Sequence, residues 1–402
     1  MRNVDMNKFV RLIAIAVITT LAVLLLLRAT SPDQKYNLAS FEKNPLQSAM
    51  LPTSDGWTLA QIVDSSGMVR TILVVDFDSE TITGIDLQSI GAIDSESPFT
   101  VLSSLDNEQL QAAVIGRQHH MTIDFSQLIA VAGEGERHIG IGTNFPEHAE
   151  EAGSDSVFNF PKFGRATPAR TTVPWLDGGL LDYEVELCLR FDRTIRSLTD
   201  FDAATKGFFL CGDFTERATL LRLIDPQNLD SGTGFSDGKS GPGFFPSGAL
   251  LVIPKDWEQF ITDERMTTSM NGEPRQDARG GEMILNYREL TSKVLADMAA
   301  PRFLYKGDFV KLAANGQIDQ SMILMSGTSE GVIFTMPARA DIINGLFAYL
   351  GNGAIFGQEP IISILIESFI KAEYDSKHFM QPGDRIEFAS SSMGRIVVQV
   401  EE

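Results

Sequence analysis

The sequence predicts an α+β fold that is rich in β-strands. Most of the chain consists of short β-branched and apolar runs separated by Ser, Gly and Asp turns, which is typical of strands. One stretch, ILNYRELTSKVLADMA at 284–299, instead repeats its apolar residues at helical spacing. With 402 residues, 43% of them hydrophobic, the chain has enough apolar material for two domains, or for one large domain with an appendage.

The first element is an uncharged apolar run at 12–27, with Arg2, Lys8 and Arg11 before it and Arg28 after it. The run is long enough to cross a hydrocarbon core of ~30 Å if the flanking arginines extend to the interface. The following residues, RATSPDQ, contain no good small-x-small cleavage site. We therefore expect an uncleaved membrane anchor over residues 1–30, with a cleaved signal peptide as the alternative.

The charges around this run predict its orientation. Because the cationic side is the amino-terminal one, the positive-inside rule places the N-terminus in the cytoplasm. The prediction is a single-pass membrane protein in which the chain after Arg28 lies outside the cytoplasm, in the periplasm if the host is bacterial.

Two segments follow the anchor. Residues 31–53 are mixed and polar, with three prolines and no period, so they are predicted to be a linker. Residues 54–127 contain the strand-like runs WTLAQIVD, MVRTILVVDFD and ETITGIDL and then DNEQLQAAV, a short helix with an Asp cap. We predict a small N-terminal β-rich domain at 54–127.

A longer series of strands begins near residue 128 and predicts a second, larger domain at 128–402. Its strand-like runs are LIAVAG, LDYEVELCLRF, GFFLCGDF, GALLVIP, SMILMSGT, RIEFAS and RIVVQV.

The charge balance argues against a nucleic-acid partner. The chain has 33 Lys and Arg against 53 Asp and Glu, a formal charge of −20, and no local cluster of basic residues. Such a surface repels phosphate backbones.

Three carboxylates form a candidate metal site. Glu184 and Glu186 are two apart in a strand pattern, so both project from one face, and Asp213 ends another apolar strand with Arg217 four residues later. Carboxylates without a Cys or His ligand favour Mg²⁺, Mn²⁺ or Ca²⁺ over zinc. The alternative, which this pattern leaves open, is the solvated face of a half-exposed strand.

The two cysteines lie in the same strands as these acids. Cys188 shares strand parity with Glu186, and Cys211 shares it with Asp213, so both thiols are placed on the carboxylate face. Two cysteines have neither the number nor the spacing of a structural zinc site or a disulfide framework. We expect small buried residues rather than ligands, and the redox compartment stays open.

A histidine and a glutamate form a candidate dyad in the stretch GTNFPEHAEEAG. Asn144 is a suitable N-cap and Gly153 a natural stop, so His148 and Glu151 fall at i and i+3 on one face of a short helix. A surface imidazole beside an acid is the alternative.

Taken in order, these motifs resemble the fumarylacetoacetate hydrolase family over most of 128–400. Each match is weak alone, but a series of matches in the family's order is hard to obtain by chance. Phe145 stands where the family more usually has Tyr. The matched positions are Asn144, Phe145, His148, Glu151, Phe160, Lys162, Glu184, Glu186, Asp213, Arg217, Lys239, Pro246, Gly248, Asn271, Gly272, Arg275, Gln276, Gly327, Thr328, Gly331, Pro382, Gly383 and Asp384.

The resemblance implies a mixed β-sandwich or roll of the family's type and roles for the matched residues. It gives catalytic roles to His148, Glu151 and Lys239, metal-ligand roles to Glu184, Glu186 and Asp213, and substrate contacts to Arg217, Lys162, Thr328 and Gly327. In this scheme Glu151 orients His148 as a general base, and Mg²⁺ (or Mn²⁺ or Ca²⁺) holds the enolate left when a C–C bond breaks. Lys239 and Arg217 are equally well explained as structural ion-pair partners of the acids.

The function expected from the resemblance is a divalent-metal-dependent hydrolase that cleaves a C–C bond in an acylpyruvate-like or β-diketo acid, a small-molecule oxo acid. A hydratase, decarboxylase or tautomerase of 2-oxo acids is the alternative within the family, because these reactions share the metal enolate. The alternative of another class is a non-catalytic, membrane-tethered binding domain. A homodimer is the expected assembly.

Two features depart from the family. The membrane anchor is unusual for enzymes of soluble degradation intermediates. The second departure is a helical insertion at 334–380, in which 342–350 and 361–370 are predicted to be helices that bury apolar surface against the core or a second subunit. A lid is the further alternative for this insertion.

Overall fold

The computed structural model describes residues 6–32, 40–116, 119–154, 156–351 and 360–402. Parts of the predicted anchor, linker and insertion lie outside the described residues, at 1–5, 33–39 and 352–359.

The helices of the described residues, in chain order, are α1 (Met6–Ala29), α2 (Pro98–Ser103), α3 (Asn107–Gly116), α4 (Pro146–Ala152), α5 (Leu198–Ala203), α6 (Arg217–Leu223), α7 (Phe235–Gly238), α8 (Trp257–Asp263), α9 (Tyr287–Asp297), α10 (Arg339–Gly351) and α11 (Ile361–Ser376).

The strands are β1 (Gly56–Val63), β2 (Val69–Phe77), β3 (Thr81–Asp86), β4 (His120–Asp124), β5 (Arg137–Gly142), β6 (Phe158–Phe163), β7 (Arg170–Pro174), β8 (Leu181–Asp182), β9 (Val185–Phe191), β10 (Lys206–Gly212), β11 (Thr215–Glu216), β12 (Leu251–Pro254), β13 (Arg265–Met270), β14 (Glu273–Arg279), β15 (Phe303–Tyr305), β16 (Asp308–Val310), β17 (Leu324–Met325), β18 (Arg385–Ser390) and β19 (Arg395–Glu401).

The largest element of the body is a ten-stranded mixed sheet with the order β4-β3-β2-β1-β12-β10-β9-β17-β5-β6. Its strands β1 to β4 come from the predicted N-terminal domain, and β1 joins the rest through antiparallel pairing with β12. The boundary predicted between residues 127 and 128 therefore lies within one continuous sheet, and the division into two domains stays a prediction.

A second sheet completes a two-layer arrangement. It has the order β14-β13-β18-β19-β7, and it packs through β13 onto β9 and through β18 and β19 onto β10. The layers approach closely at Gly212, where a Cβ would lie 2.6 Å from the Phe388 ring, so only glycine fits this position of β10. The predicted α+β, β-rich class is confirmed.

Two predicted strands differ in the structure. The run LIAVAG is not a strand, because only Leu128 bridges to Ile62, and its buried residues Val131 and Ala132 instead fill the core from a turn. The run LDYEVELCLRF is divided into β8 and β9 at residues 183–184, next to the acids of the candidate site.

The helix predicted at 284–299 is confirmed as α9. The Asn286 side chain accepts hydrogen bonds from the backbone N–H groups of Arg288 and Glu289, and the backbone N–H of Asn286 donates to the Glu289 carboxylate. This capping box explains why the helix begins at Tyr287 rather than at residue 284.

The linker prediction is partly changed by the structure. Its described residues are bound to the body: Ser40 N donates to Glu330 Oε1 at 2.9 Å, Glu42 N to Asp277 Oδ2 at 2.8 Å, and Ala49 N to the Ser391 carbonyl at 2.8 Å. Residues 40–53 therefore form an arm that is hydrogen-bonded to the body, with partners in the turn after β17, in β14 and just after β18.

The anchor and the insertion form a compact unit of their own. Residues 1–35 and 335–378 cluster together, while 36–334 and 379–402 make up the body. The predicted helices of the insertion are confirmed as α10 and α11, which pack against each other. Within α1, the segment Phe9–Ala29 has a mean hydropathy of 2.7 and is long and apolar enough to cross a membrane. A signal sequence near the N-terminus would have the same length and composition.

Candidate metal centre

The adjacent strands β9 and β10 bring the three predicted metal ligands together. Glu184 precedes β9, Glu186 lies in it opposite Cys211, and Asp213 follows β10. The strands are antiparallel, so the start of one and the end of the other share an edge of the pair. One carboxylate oxygen of each residue lies within 4.8 Å of the other two, and all three residues are buried.

Two lysines approach this acid triad. Lys239, just after α7, donates from Nζ to Glu184 Oε2 at 2.6 Å and to Asp213 Oδ2 at 2.9 Å. Lys162 of β6 donates to Asp213 Oδ1 at 2.5 Å and to the main-chain oxygen of Lys239. Both ammonium groups are therefore hydrogen-bonded to the acids. For Lys239 this is the ion-pair arrangement that the sequence offered as an alternative, and the catalytic role of Lys239 and the substrate contact of Lys162 stay predictions.

Arg217 holds the triad from the other side. Its Nη2 donates to Glu184 Oε1 and its Nε to Asp182 Oδ2, both at 2.8 Å. Asp182 in turn accepts hydrogen bonds from the backbone N–H groups of Tyr183, Ile333 and Phe334. The guanidinium thus fixes the orientation of Glu184 through a buried, doubly paired geometry.

The charges of this cluster set the pKa values of its acids in opposite directions. Burial opposes ionisation of Glu184, but Lys239 and Arg217 outweigh it and lower the pKa of this carboxyl from 4.5 to about 2. For Glu186, burial and then the charges of Asp213 and Glu184 raise the pKa well above 4.5. The charge of Glu186 is therefore opposed by burial and by its acidic neighbours, and Lys239 offsets these effects only in part.

One oxygen of Glu186 supports a metal site directly. Oε2 accepts a hydrogen bond from Gly327 N at 2.8 Å, whereas Oε1 is buried and has no hydrogen-bond partner among the described residues. An unpaired buried carboxylate oxygen costs several kcal/mol unless a cation or proton satisfies it. The donor set is all oxygen and anionic, which fits a hard divalent cation.

The turn at 327–331 joins the triad to the predicted dyad. Gly327 has a φ of 79°, which favours glycine, and Gly331 N donates to Glu151 Oε1 at 2.8 Å. Thr328 donates from Oγ1 to the Val185 carbonyl at 2.8 Å. The two predicted substrate contacts in this turn, Gly327 and Thr328, thus position the start of β9, and a role in substrate binding stays a prediction.

His148 and Glu151 form the predicted pair on α4. Glu151 Oε2 lies 2.8 Å from His148 Nδ1, and the charge of a protonated His148 acts on Glu184. Burial raises the pKa of Glu151 above 4.5, against the hydrogen bond from His148. A carboxylate at Nδ1 favours the tautomer with its proton on Nδ1, which leaves the Nε2 lone pair available to accept a proton.

The cap predicted for this helix is wrong. Phe145 occupies the N-cap position and makes no side-chain cap bond, while Gly153 ends the helix in the left-handed region as expected. Asn144 instead donates to the carbonyls of Leu285 and Ser326 and accepts from Leu285 N. These distant backbone partners satisfy its amide more completely than one cap bond would.

The cysteines also differ from expectation. Cys188 and Cys211 are buried as predicted, but they form a disulfide across β9 and β10, with a Cα–Cα distance of 6.0 Å. Cys211 lies directly opposite Glu186, so the bridge ties the ligand-bearing strands together next to the triad. The sequence separation alone did not reveal the pairing, because it depends on the register of the two strands.

Two residues of the site were not assigned from the sequence. Asp182 continues the parity of Glu184 and Glu186, and this alternation of acids was the signal for it. Gln276 was matched to the family without a role. It accepts from Val185 N at 3.2 Å and donates to Thr328 Oγ1 at 2.9 Å, so it holds the start of β9 against the turn at 327–331.

A buried triad of carboxylate oxygens beside a His–Glu pair, on a two-layer β-rich body, places this chain among proteins with a candidate divalent-metal site. Within this class the chain belongs to the fumarylacetoacetate hydrolase family. The sequence model of that family's C-terminal domain, described as fumarylacetoacetate (FAA) hydrolase C-terminal, matches residues 137–401. The resemblance noted from the sequence is thereby confirmed.

Individual relatives are distant. An uncharacterised protein of Staphylococcus epidermidis is 26% identical over 257 residues, which cover 54% of this chain and 82% of the relative. A probable 2-hydroxyhepta-2,4-diene-1,7-dioate isomerase from Mycobacterium abscessus is similar in structure, with a TM-score of 0.52, 18% identity, and coverage of 86% of this chain and 98% of the other.

A maleylpyruvate hydrolase from a Sphingobium species, solved with manganese(II) and pyruvate, matches with a TM-score of 0.50, 18% identity, and coverage of 86% of this chain and 98% of the other. These similarities show the shared fold. One of the two named neighbours is a probable isomerase and the other is a hydrolase.

Proposed function

We propose that this protein is a membrane-anchored, divalent-metal-dependent hydrolase that cleaves a C–C bond in an acylpyruvate-like or β-diketo acid. The observation that carries the proposal is the buried, unpaired Oε1 of Glu186, inside a triad completed by Glu184 and Asp213. The structurally similar maleylpyruvate hydrolase, which was solved with manganese(II) and pyruvate, accords with a divalent cation and a 2-oxo acid as the ligands.

Glu184, Glu186 and Asp213 would hold Mg²⁺ or Mn²⁺. When bound, the cation would supply Lewis-acid polarisation of adjacent substrate oxygens and compensate negative charge that develops on them. Arg217 and Lys239 form ion pairs with Glu184, and Lys162 and Lys239 form ion pairs with Asp213, so the three cations orient these two acids.

His148 is the proposed general base. Glu151 holds its Nδ1–H, so Nε2 accepts a proton from a water molecule whose oxygen adds to the substrate carbonyl carbon. The bond between that carbon and the neighbouring carbon then breaks. Its electron pair stays on the 2-oxo acid fragment, which takes up the proton, and the other product is a carboxylic acid.

The anchor and the disulfide together support a location for the body outside the cytoplasm. Three positive residues, Arg2, Lys8 and Arg11, precede the apolar run of α1 and only Arg28 follows it closely, and the buried Cys188–Cys211 bridge is of the kind that persists in oxidising compartments. Oxo acids that reach the periplasm or the cell exterior are then the accessible substrates.

The test is a thermal melt of the full-length protein in detergent with EDTA, with Mg²⁺, and with Mg²⁺ plus oxalate. A metal at a hundredfold excess over its Kd should stabilise the native state by about 2.7 kcal/mol. Oxalate, which presents two adjacent oxygens like a 2-oxo acid, should add stability only when the metal is present.

Two variants sharpen this test. Glu186→Gln should abolish both shifts, since it keeps the shape but removes a charged ligand. Glu264→Gln removes another buried carboxyl, one bonded to Ser392 away from the triad, and should keep both shifts. Three coincident melts of the wild type at millimolar ligand would instead favour the non-catalytic, membrane-tethered domain.

A further inference from the structure

The helix pair, defined as α10 and α11, is attached to the end of the apolar helix α1. Both belong to the same compact unit, and α10 contacts α1. Arg339 Nη2 donates to the Thr30 carbonyl at 3.4 Å, and Ala340 N donates to Ser31 Oγ at 3.1 Å. The start of the helix pair is therefore held where the predicted span ends.

Charge is distributed unevenly along the helix pair and its connection. Residues 342–366 carry a single charged side chain, Glu359, in the sequence. The charged residues lie on either side of this stretch. They are Arg339, Asp341, Glu367, Lys371, Glu373, Asp375 and Lys377. The connected end of the pair, formed by the second half of α10 and the first half of α11, is therefore apolar, and the opposite end is suited to water.

Packing between the two helices leaves several apolar side chains of the connected end exposed. The helices touch at Gly345, where a Cβ would lie 3.1 Å from the Leu365 Cα, so glycine permits a close approach. Outside this contact the exposed fractions are 50% for Leu350, 41% for Ile361 and 61% for Ile362. Such an apolar surface marks an interaction site.

We propose that the connected end of the helix pair inserts into the lipid leaflet on the side where α1 ends. The inference rests on the proposed anchoring by α1, because that anchor places the start of α10 at the membrane surface. Residues 342–350 extend about 13 Å as a helix, which is enough for one leaflet of a ~30 Å core and too short to span it. A bilayer is the occupant that suits an apolar tip with a charged base.

The experiment measures depth in the bilayer at single positions of the full-length protein in phosphatidylcholine vesicles. The two native cysteines are paired, so an introduced cysteine can be labelled selectively with a fluorophore. Leu350→Cys and Ile362→Cys report on the connected end, Lys371→Cys on the charged end, and Ile18→Cys on the span of α1. All four positions are exposed in the structure, which makes the substitutions compatible with folding.

Lipids brominated in their acyl chains should quench labels at positions 350, 362 and 18, while aqueous iodide should quench the label at 371. If labels at 350 and 362 are quenched by iodide, or are shielded from both quenchers by protein, the inference is wrong. Quenching at 18 by brominated lipid in that case shows that the anchor stands without the inserted helix pair. Absence of lipid quenching at 18 overturns the anchor as well.

Discussion

Two histidines of this chain differ in their hydrogen-bond partners and therefore in their ability to accept a proton. His148 is paired with Glu151 beside the acid triad. His138 is fully buried in β5, where its Nδ1 accepts from Ile323 N at 3.3 Å and its Nε2 donates to the Gly164 carbonyl at 3.1 Å. The first is placed to accept a proton, and the second is fixed in its neutral form by two backbone partners.

His148→Ala should lower kcat on an acylpyruvate substrate by ~10² to 10⁴, the usual effect of a lost general base. The metal-dependent shift in the thermal melt should be retained, because His148 is not one of the three residues proposed to bind the cation. Glu151→Gln should have a smaller effect in the same direction. The exposed Glu150→Gln on the same helix is the control and should turn over normally. Equal turnover in wild type and His148→Ala would mean that α4 is only structural.

His138 predicts a pH dependence of stability. Burial lowers the pKa of this imidazole from 6.5 to about 4 in the folded protein. Between these values the unfolded chain binds a proton that the folded chain does not. The contribution of neutral His138 to the free energy of unfolding is therefore present above pH 6.5 and is lost as the pH falls. The loss amounts to about 2 kcal/mol between pH 7 and pH 5.

Urea unfolding at pH 7 and at pH 5 measures this effect. His138→Gln should be less stable at pH 7 but should lose about 2 kcal/mol less than the wild type between the two pH values. The exposed His119→Gln is the matched control and should show the full loss. If His138→Gln loses as much unfolding free energy between pH 7 and pH 5 as the wild type does, His138 is not the source of the pH dependence.

At the scale of secondary-structure elements, the pair β9 and β10 is the framework of the site. It carries the triad at one end and the disulfide next to it, with Cys211 directly opposite Glu186, and the register of the two strands sets both. The strand is interrupted at residues 183–184, between β8 and β9. This interruption lets Asp182 and Glu184 both accept hydrogen bonds from Arg217. The site is therefore positioned mainly by strand pairing and only secondarily by loops.

The disulfide should contribute measurable stability. It joins residues that are 23 apart in sequence, and closing a loop of this size in the unfolded chain corresponds to about 3 kcal/mol. The double variant Cys188→Ala/Cys211→Ala should unfold at a correspondingly lower urea concentration.

Reductant supplies the control for this prediction. Wild-type protein refolded in dithiothreitol should approach the midpoint of the double variant, and the double variant should not respond to dithiothreitol. A wild-type midpoint that stays the same after reduction and equals that of the variant would show that the bridge is not formed.

At the scale of the whole molecule, the chain divides into a unit that contains α1 and the helix pair and a body that contains both large sheets. The chain crosses between these units near residues 35, 334 and 378. The body carries the triad, the dyad and the disulfide, so the candidate site and the apolar helices α1, α10 and α11 belong to separate parts of the chain.

The proposed orientation predicts the outcome of reporter fusions. Alkaline phosphatase fused after Glu402 should be active in a bacterial host, because this enzyme matures only outside the cytoplasm, and a reporter that needs the cytoplasm should be inactive there. A chain without residues 6–32 is the control, and its fusion should reverse both results. Activity of the cytoplasmic reporter alone on the full-length chain would overturn the orientation.

The sequence by itself determined the features that depend on local spacing and residue type. Strand parity placed Glu184 and Glu186 on one face, helical spacing placed His148 beside Glu151, and the length of an apolar run identified α1. The order of the motifs identified the family, because motif order survives when overall identity falls to the level of these relatives.

Only the tertiary structure decided the features that depend on which distant segments become neighbours. The register of β9 and β10 pairs the cysteines, and the packing of α4 directs Asn144 toward Leu285 and Ser326 instead of its own helix. The antiparallel pairing of β1 with β12 merges strands from two predicted domains. Each outcome requires contacts between residues far apart in the chain, and local propensity carries no information about such contacts because they are selected by the fit of the whole core.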